Sequence, residues 1–392
     1  MLAGKRILLG VGGGIAAYRA AELARLMMKQ GADVQCVPTR AASEFVTPLT
    51  FEALTRRPAP AELFDLTRER EMGHIRLARE ADALLVAPAT ADLIARFAHG
   101  ICDDLLTTLF QVCEAPALLA PAMNASMWQS PATRRNVETL MDSGVRFIGP
   151  EEGELACGER GPGRMSEPAT IIEALAPLVT PRRLAGQRWV VNAGPTWERW
   201  DDARVLTNRA SGRLGAHLAA WAAAMGARVT LVCGPGVPRA PATVGRINVE
   251  SAGEMMTACL EAADGADVFV ATAAVSDYRF AEPVSGKARR DDGPIQVTLE
   301  PNEDIVARIA AMPGRPRKVI AFAAESDNHV ERARRKMAAK GADAIFANDI
   351  RHMGDDTGSG WWVAGDVEEE IVCEPKAHLA RWIIERIMEL AA

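Results

Sequence analysis

A short apolar run, Arg6 to Val11, ends in three consecutive glycines, Gly12, Gly13 and Gly14, and a helix with apolar faces runs on from Ile15 to Met28. Strand, glycine turn and helix is the geometry that sets bare backbone N–H groups and a helix N-terminus against a phosphate. Tight turns also use glycine for packing alone, so the turn gains weight only from the rest of the sheet. Further apolar runs at Ala83 to Ala87, Ala117 to Ala120 and Val145 to Ile148 are separated by helical patterns. That alternation predicts a parallel sheet covered on both faces, with ligands beyond the carboxyl ends of its strands. The residues at those ends are Pro88, Ala89 and Thr90, then Pro121 to Asn124. A second strand, Val34 to Val37, ends in Pro38-Thr39-Arg40 with no acidic residue to hold a ribose diol. This argues against a NAD site and toward a mononucleotide such as FMN.

At 392 residues the chain is too long for one ordinary core, and two domains are expected. A helix from Pro168 runs into the connection Thr180-Pro181-Arg182-Arg183, which divides the chain into segments 1–180 and 181–392. The net charge of -6 gives no footprint for nucleic acid, and two tyrosines and ten phenylalanines make a base-stacking surface unexpected. No apolar stretch reaches the roughly 20 residues that span a bilayer, and no segment reads as a signal peptide. The seven cysteines form no CxxC pair and no His/Cys cluster, so zinc is not expected and a reducing cytoplasm is.

Several residues of the first half carry chemistry on one reading and only structure on another. His74 lies on a helix leading into the third strand, where a lone histidine is more often structural. Asn124 either bonds a carboxylate or amide, or makes an Asx turn after a proline. Asp103-Asp104 reads as a helix N-terminus rather than a metal site. Gly153 to Met165, GELACGERGPGRM, sets Cys157 among four glycines and two arginines. So many glycines make a regular element unexpected there, and the stretch reads as a mobile flap.

GVGGGIAAYRAAELAR, the His74 segment, APATADLIARFAHGICDDLLTT, PAMNASMW and ACGERGPGRM occur in this order. Together they closely resemble the flavin-dependent phosphopantothenoylcysteine decarboxylases. In that family FMN oxidises the substrate thiol to a thioaldehyde, carbon dioxide leaves, and the enethiol is reduced by the reduced flavin. The resemblance implies that His74 is the base, that Asn124 grips the carboxylate and that Cys157 is the proton donor on the flap. It implies FMN contacts at Gly12, Gly13, Gly14, Thr39, Pro88, Ala89 and Thr90, and substrate contacts at Met123 and Arg164. Two departures stand out: Gly12 replaces a threonine or serine whose hydroxyl would help hold the phosphate, and Asp92 replaces an asparagine.

The pattern restarts after residue 186. Trp189 to Val191 is apolar, and a second turn, Asn192 to Thr196, comes after it. Strands are expected at Arg228 to Cys233, Asp267 to Ala271, Lys318 to Phe322 and Asp343 to Ala347, which predicts a second doubly wound, mainly parallel sheet. Ile295 to Leu299 and Trp361 to Val363 are expected to form an antiparallel arm, and an amphipathic helix closes the chain from about Lys376 to Leu390. Asn208 to Gly215 opens a helix with glycine, hydroxyl and cation together, which suits a phosphate or carboxylate. Lys287, near Arg289 and Arg290, and Lys336 and Lys340, four apart on one helical face, add cations able to hold a triphosphate. The bland reading of the last pair is a solvated face. Asp277 is a candidate metal or lysine partner.

This half resembles phosphopantothenate–cysteine ligase through AGPTWE, LTNRASGRLG, ATAAVSDY, FAAES and the spaced lysines before Ala347-Asn348-Asp349. That enzyme uses CTP to activate the carboxylate of 4′-phosphopantothenate as an acyl cytidylate, releasing pyrophosphate. Cysteine then attacks, with Mg2+ assisting the triphosphate. The resemblance implies that Asn208 contacts the acyl cytidylate. It also implies CTP contacts at Ala271, Thr272, Ala273, Asp277, Lys287, Glu303, Asp304, Ile305, Val306, Phe322, Lys336 and Lys340. Departures are more numerous here. WERWDDARVL replaces a REPIDPVRYI-like text, Arg213 a lysine and Glu303 a proline, and Asp355 to Gly360 replaces a later Asp/Asn motif.

The expected protein is a bifunctional, homo-oligomeric enzyme of coenzyme A biosynthesis that makes phosphopantothenoylcysteine and converts it to 4′-phosphopantetheine. By resemblance the decarboxylase halves form trimers and the ligase halves dimers, together a dodecamer. Three rivals stay open: a decarboxylase with a degenerate or altered ligase half, a flavin-binding regulator without turnover, and a flavin prenyltransferase-like enzyme. Cys157→Ser is expected to keep FMN and to decarboxylate, yet to stall at an oxidised enethiol, as read by mass spectrometry of the products. Normal full turnover by that variant would remove Cys157 from the chemistry.

Overall fold

The structure is a computed structural model that describes residues 2–60, 73–156, 158–288, 295–325, 327–352 and 354–390, with the side chains of residues 73 and 74 outside that description. The chain forms two compact units, Met1–Pro181 and Arg182–Ala392.

The first unit is built on β1 (Arg6–Val11), α1 (Ala17–Lys29), β2 (Asp33–Pro38), α2 (Arg40–Ser43), α3 (Gly73–Glu80), β3 (Ala83–Ala89), α4 (Ala91–His99), α5 (Leu105–Val112), β4 (Ala117–Pro121), α6 (Ala125–Gln129) and β5 (Arg146–Phe147). The five strands are parallel, in the order β2-β1-β3-β4-β5. Alternation along β1 sends its side chains to two cores. Ile7, Leu9 and Val11 join Leu23, Met27, Ile171 and Leu175 on one face. Leu8 joins Leu93, Phe97, Leu106 and Leu109 on the other. Helices around the strand ends are started by short polar side chains: Thr39 for α2, Thr90 for α4, Asn124 for α6. Asp104 starts α5 with a reciprocal capping box to Thr107, so the Asp103-Asp104 pair marks a helix N-terminus.

The glycine-rich stretch corrects an expectation. Residues Glu151–Glu154 (β6) and Arg160–Arg164 (β7) form an antiparallel ribbon before α7 (Pro168–Val179). The glycines serve this ribbon rather than prevent it. Gly158 takes φ +82 in its turn. Gly163, at φ +151, passes so close to Met123 that an added Cβ would lie 2.1 Å from the Met123 carbonyl oxygen. The Met123 N–H donates to the Gly163 carbonyl at 3.0 Å, so the ribbon is fastened to the turn after β4.

The second unit carries an eight-stranded sheet. Its strands, in chain order, are β8 (Arg188–Ala193), β9 (Arg228–Cys233), β10 (Gly245–Asn248), β11 (Val268–Ala271), β14 (Lys318–Glu325), β15 (Ala344–Asp349), β16 (Thr357–Ala364) and β17 (Val367–Pro375). The labels β12 (Tyr278–Phe280) and β13 (Leu299–Pro301) belong to a separate antiparallel ribbon. The sheet order is β10-β9-β8-β11-β14-β15-β16-β17, and only the last two pairings, β15 with β16 and β16 with β17, are antiparallel. Around it lie α8 (Arg213–Ala224), α9 (Ala252–Ala263), α10 (Ile305–Ala310), α11 (His329–Lys340) and α12 (Lys376–Glu389). The expected arm is thereby corrected. Leu299 pairs with Phe280, whereas Trp361 to Val363 run inside the main sheet between β15 and β17. Trp362 is buried, so this edge belongs to the core rather than to an arm. Among the described residues no helix is long and apolar enough to cross a membrane.

Candidate functional site

In the first unit the strand order reverses between β1 and β3. Parallel sheets of this order leave a crevice at that switch point, beyond the carboxyl ends of the strands. A cavity of about 1240 Å³ lies there. Its lining comes from four strand ends and the ribbon: Gly13 to Ala16 after β1, Thr39 and Ala41 after β2, Pro88 and Thr90 to Asp92 at the end of β3, Ala122 to Asn124 after β4, and Glu154 to Ala156 with Gly163 to Met165; Gly12 and Ala89 are buried behind it. Ligand sites commonly measure about 300 to 1,000 Å³, so a cofactor and a substrate can share this space.

The glycine turn is shaped by close approach. The Gly12 N–H donates to the Pro88 carbonyl at 3.1 Å. A Cβ at Gly12 would lie 2.4 Å from that carbonyl oxygen, and one at Gly13 would lie 2.3 Å from the Ala41 Cβ. The absence of a hydroxyl side chain at residue 12 therefore has a local reason, since any side chain there meets backbone. The bare turn, the Thr90 cap and the apolar walls of Leu93, Met123 and Met127 fit a flavin mononucleotide: backbone donors for a phosphate, flat apolar surface for a ring. The buried Thr39 hydroxyl accepts from the Ala42 N–H at 3.1 Å and donates to the Val11 carbonyl at 3.2 Å, so it holds the loop in shape.

Asn124 is both an Asx cap and a cavity residue. Its Oδ1 accepts from the Ser126 N–H at 2.8 Å, which fixes the amide, and its Nδ2 donates to Glu159 at 2.7 Å. On the opposite wall Arg19 bonds Glu167 and donates to the Met165 carbonyl at 3.3 Å, and Arg164 donates to Glu167 at 2.6 Å. Glu167 thus joins the ribbon to α1. Nothing in the sequence pattern marked Arg19, Glu159 or Glu167, because their importance lies in contacts between distant segments. Cys157 and the His74 side chain lie outside the described residues. Asp92 pairs with Arg96 at 3.0 Å on the exposed face of α4.

The second unit repeats the switch point between β8 and β11. The buried Asn192 at the end of β8 accepts through Oδ1 from the Ala273 N–H at 3.0 Å, and its carbonyl accepts from Thr272 Oγ1 at 2.5 Å. Asn208 donates to the Ala274 carbonyl at 2.6 Å. Gly215 of α8 fits against Thr272 and Ala193, where a Cβ would lie 2.3 Å from the Thr272 Oγ1. These contacts bring Asn208, the start of α8 and Ala271 to Ala273 to one place. Asp277 and the Glu303–Val306 turn meet through Asn302, whose N–H donates to the Asp277 carbonyl at 2.8 Å. Ile305 and Val306 bury their side chains in the core, and Asp304 caps α10. Phe322 stands half-buried on β14 against Phe346.

Lys336 and Lys340 are not a solvated face. Lys340 pairs with Asp304 at 2.8 Å, and Lys336 with the buried Glu325 at 2.6 Å. Arg332 reaches Glu325 from the other side at 3.2 Å. Glu303 pairs with Arg308 at 3.3 Å. Lys287 is exposed on a loop joined to the turn at 199–204.

The fold and the first site define an α/β flavoprotein with a second α/β unit attached. A family model described as Flavoprotein matches residues 1–180, and one described as DNA/pantothenate metabolism flavoprotein C-terminal domain matches residues 184–390. A coenzyme A biosynthesis bifunctional protein CoaBC from Vibrio vulnificus is 43% identical over 99% of this chain and 98% of its own length. The protein of the same name from Escherichia coli K12 is 42% identical over 89% of this chain and 87% of its own. A crystal structure of the C-terminal domain of such a protein is 33% identical, covers 52% of this chain and 94% of its own, and has a TM-score of 0.45. The chain belongs to the family of coenzyme A biosynthesis bifunctional proteins, which join a decarboxylase to a ligase.

Burial works against the charge of Glu325, but Lys336 first and Arg332 second outweigh it and hold its carboxyl below the usual range. Such a group stabilises the fold above its unfolded pKa of about 4.3, and that stability is lost as pH falls through the depressed folded value. Lys336→Met removes the larger of the two favourable partners. The acid-unfolding midpoint, followed by circular dichroism, is expected to rise by on the order of half a pH unit. A midpoint that stays in place would show that the pair contributes nothing.

Proposed function

We propose that the second unit joins 4′-phosphopantothenate to cysteine at the expense of CTP, and that the first unit decarboxylates the resulting phosphopantothenoylcysteine to 4′-phosphopantetheine. The observation that carries this reading is the cavity of about 1240 Å³ at the β1/β3 switch point, lined both by a glycine turn able to seat a phosphate and by the fixed amide of Asn124. Gly12, Gly13, Gly14, Thr39, Pro88, Ala89 and Thr90 would hold FMN. When bound, FMN supplies the two-electron oxidation of the substrate thiol and the matching reduction that closes the cycle.

The chain's own groups do the rest. Asn124 holds the substrate carboxylate through Nδ2, its orientation set by the bond from Ser126 to Oδ1. Met123 excludes water beside it, and Arg164 offers a cation from the ribbon. His74 takes the thiol proton, and Cys157 returns a proton to carbon after carbon dioxide leaves. A carboxylate drawn out of water against Met123 loses carbon dioxide more readily because its charge is poorly solvated there.

In the second unit the substrate carboxylate attacks the α-phosphorus of CTP and pyrophosphate leaves. The cysteine amine then attacks the acyl carbon and CMP leaves. Asn208 lies against the acyl cytidylate, with Ala271 to Ala273 beneath it. Asp277, Lys287, the Glu303 to Val306 turn, Phe322, Lys336 and Lys340 hold the nucleotide. Each lysine ammonium has three donors, so Lys336 and Lys340 keep their carboxylate partners while reaching a phosphate. Asp277, beside the nucleotide that would carry most of its ligands, would help hold a magnesium ion, which when bound would neutralise the triphosphate. The same reading places the protein in the cytoplasm as a homo-oligomer of trimeric and dimeric contacts.

Asn208→Asp sets a carboxylate against an anionic intermediate. Ligation, followed as CTP-dependent pyrophosphate release, is expected to fall by at least about 100-fold. Decarboxylation of supplied phosphopantothenoylcysteine is expected to persist. Unchanged ligation would overturn the assignment of the second unit.

A further inference from the structure

The segment WERWDDARVL contains a buried carboxylate, Asp201, whose partners come from two distant parts of the chain. Asp201 has a fully buried side chain. Its Oδ1 accepts from the backbone N–H groups of Ala203 and Arg204, each at 2.7 Å. Its Oδ2 accepts from Arg204 Nη1 at 2.6 Å and from the Ala288 N–H at 3.2 Å. The first three bonds lie within one turn. The fourth reaches 87 residues along the chain, to the residue after Lys287.

The neighbouring contacts converge on the same loop. Arg204 also donates to the Ala288 carbonyl at 3.2 Å, and its guanidinium lies 4.9 Å from the Trp200 ring centroid. The Val284 N–H donates to the Trp200 carbonyl at 2.7 Å. Gly286 exchanges two bonds with Asp202: its N–H donates to Oδ2 at 2.9 Å, and its carbonyl accepts from the Asp202 N–H at 3.1 Å. Consequently both peptide groups that flank Lys287 are bonded to the Asp201-Asp202 pair, one through the Gly286 carbonyl and one through the Ala288 N–H. The backbone at Lys287 is fixed while its side chain remains exposed.

We infer that Asp201 is a positioning residue for ligation: its buried carboxylate, through the Ala288 N–H, holds the Lys287 backbone where the ammonium meets the nucleotide triphosphate. This rests on the reading of Lys287 as a nucleotide contact. A long flexible lysine gains most from an anchored backbone, because fewer arrangements must then be given up on binding. Asp201 touches neither substrate nor nucleotide and acts through Lys287 alone. A buried carboxylate otherwise needs a reason, since an imperfectly paired charge in such a place is costly. Here its four donors satisfy it and tie two distant segments together.

The test is a double-mutant cycle on magnesium–CTP binding to the full-length protein, measured by calorimetry. Asp201→Asn keeps the size and the bonds to Oδ1, but it turns an amide N–H toward the Ala288 N–H. It is expected to weaken binding about tenfold, while decarboxylation of supplied phosphopantothenoylcysteine stays at the wild-type rate. In a Lys287→Ala background the same change is expected to cost less than about twofold, because the residue it positions is gone. Equal losses in both backgrounds would overturn the inference and leave Asp201 a merely structural group. Wild-type binding by Lys287→Ala alone would overturn the reading of Lys287 on which it stands. If Asp201→Asn proves unfolded by circular dichroism, Asp202→Asn at an exposed carboxylate gives the same cycle through the Gly286 bond. Additive losses there would overturn the inference as well.

Discussion

The loops that leave β1 and β3 diverge, because the chain winds outward from β1 on one side and returns to β3 on the other. Parallel strands force this: each crossover must pass over a face of the sheet, and where the direction of winding changes nothing fills the gap between the loops. The gap survives only because its rim is tied. The Gly12 N–H to Pro88 carbonyl bond does this in the first unit, and the Asn192 bonds to Thr272 and Ala273 do it in the second. Both sites therefore depend on hydrogen bonds at the very end of the sheet ladder, one between backbones in the first unit and two that use the Asn192 and Thr272 side chains in the second. Glycines occur there because the backbones approach too closely for a side chain, as at Gly12, Gly13 and Gly215.

Charge is handled differently in the two units. In the first, Glu167 of the cavity wall lies between two guanidinium groups, and Glu159 of the ribbon bonds the Asn124 amide. The ribbon after β5 is thereby attached to the cavity by ionic and polar contacts, which exchange partners more readily than packed apolar ones. That suits a segment which must admit substrate and then exclude water. In the second, the lysines proposed to meet a polyanion are paired with carboxylates, Lys336 with Glu325 and Lys340 with Asp304. Pairing keeps like charges on α11 from repelling one another and, since an ammonium has three donors, leaves donors over.

The sheet strands of the first unit were legible because apolar runs alternate with helical periods and glycine marks the first turn. Five of the six parallel strands of the second unit were legible for the same reason, but β10 (Gly245–Asn248), exposed along its length at the sheet edge, carries no apolar run and was not. The ribbon at Glu151–Arg164 was not, since glycine content reports backbone freedom and not what the backbone does with it. There Gly163 is required by the approach of Met123, a residue 40 positions away. Pairing across sequence is likewise what Ile295 to Leu299 and Trp361 to Val363 concealed: both looked like strands, but their partners were set by the sheet edge and by Tyr278–Phe280. Motifs singled out Asn124, Asn208 and the lysines as candidates. They did not reveal that Glu159 meets Asn124, Glu325 meets Lys336 and Asp304 meets Lys340, because those pairings come only from folded distances.

The central claim is that one chain carries out two successive steps on a shared intermediate. Its most direct test is mass spectrometry of purified protein incubated with 4′-phosphopantothenate, cysteine, magnesium and CTP. The account predicts 4′-phosphopantetheine, formed with release of pyrophosphate and carbon dioxide. Failure to form any phosphopantothenoylcysteine, while that compound is still decarboxylated when supplied, would contradict it and leave the second unit without the ligation it is assigned.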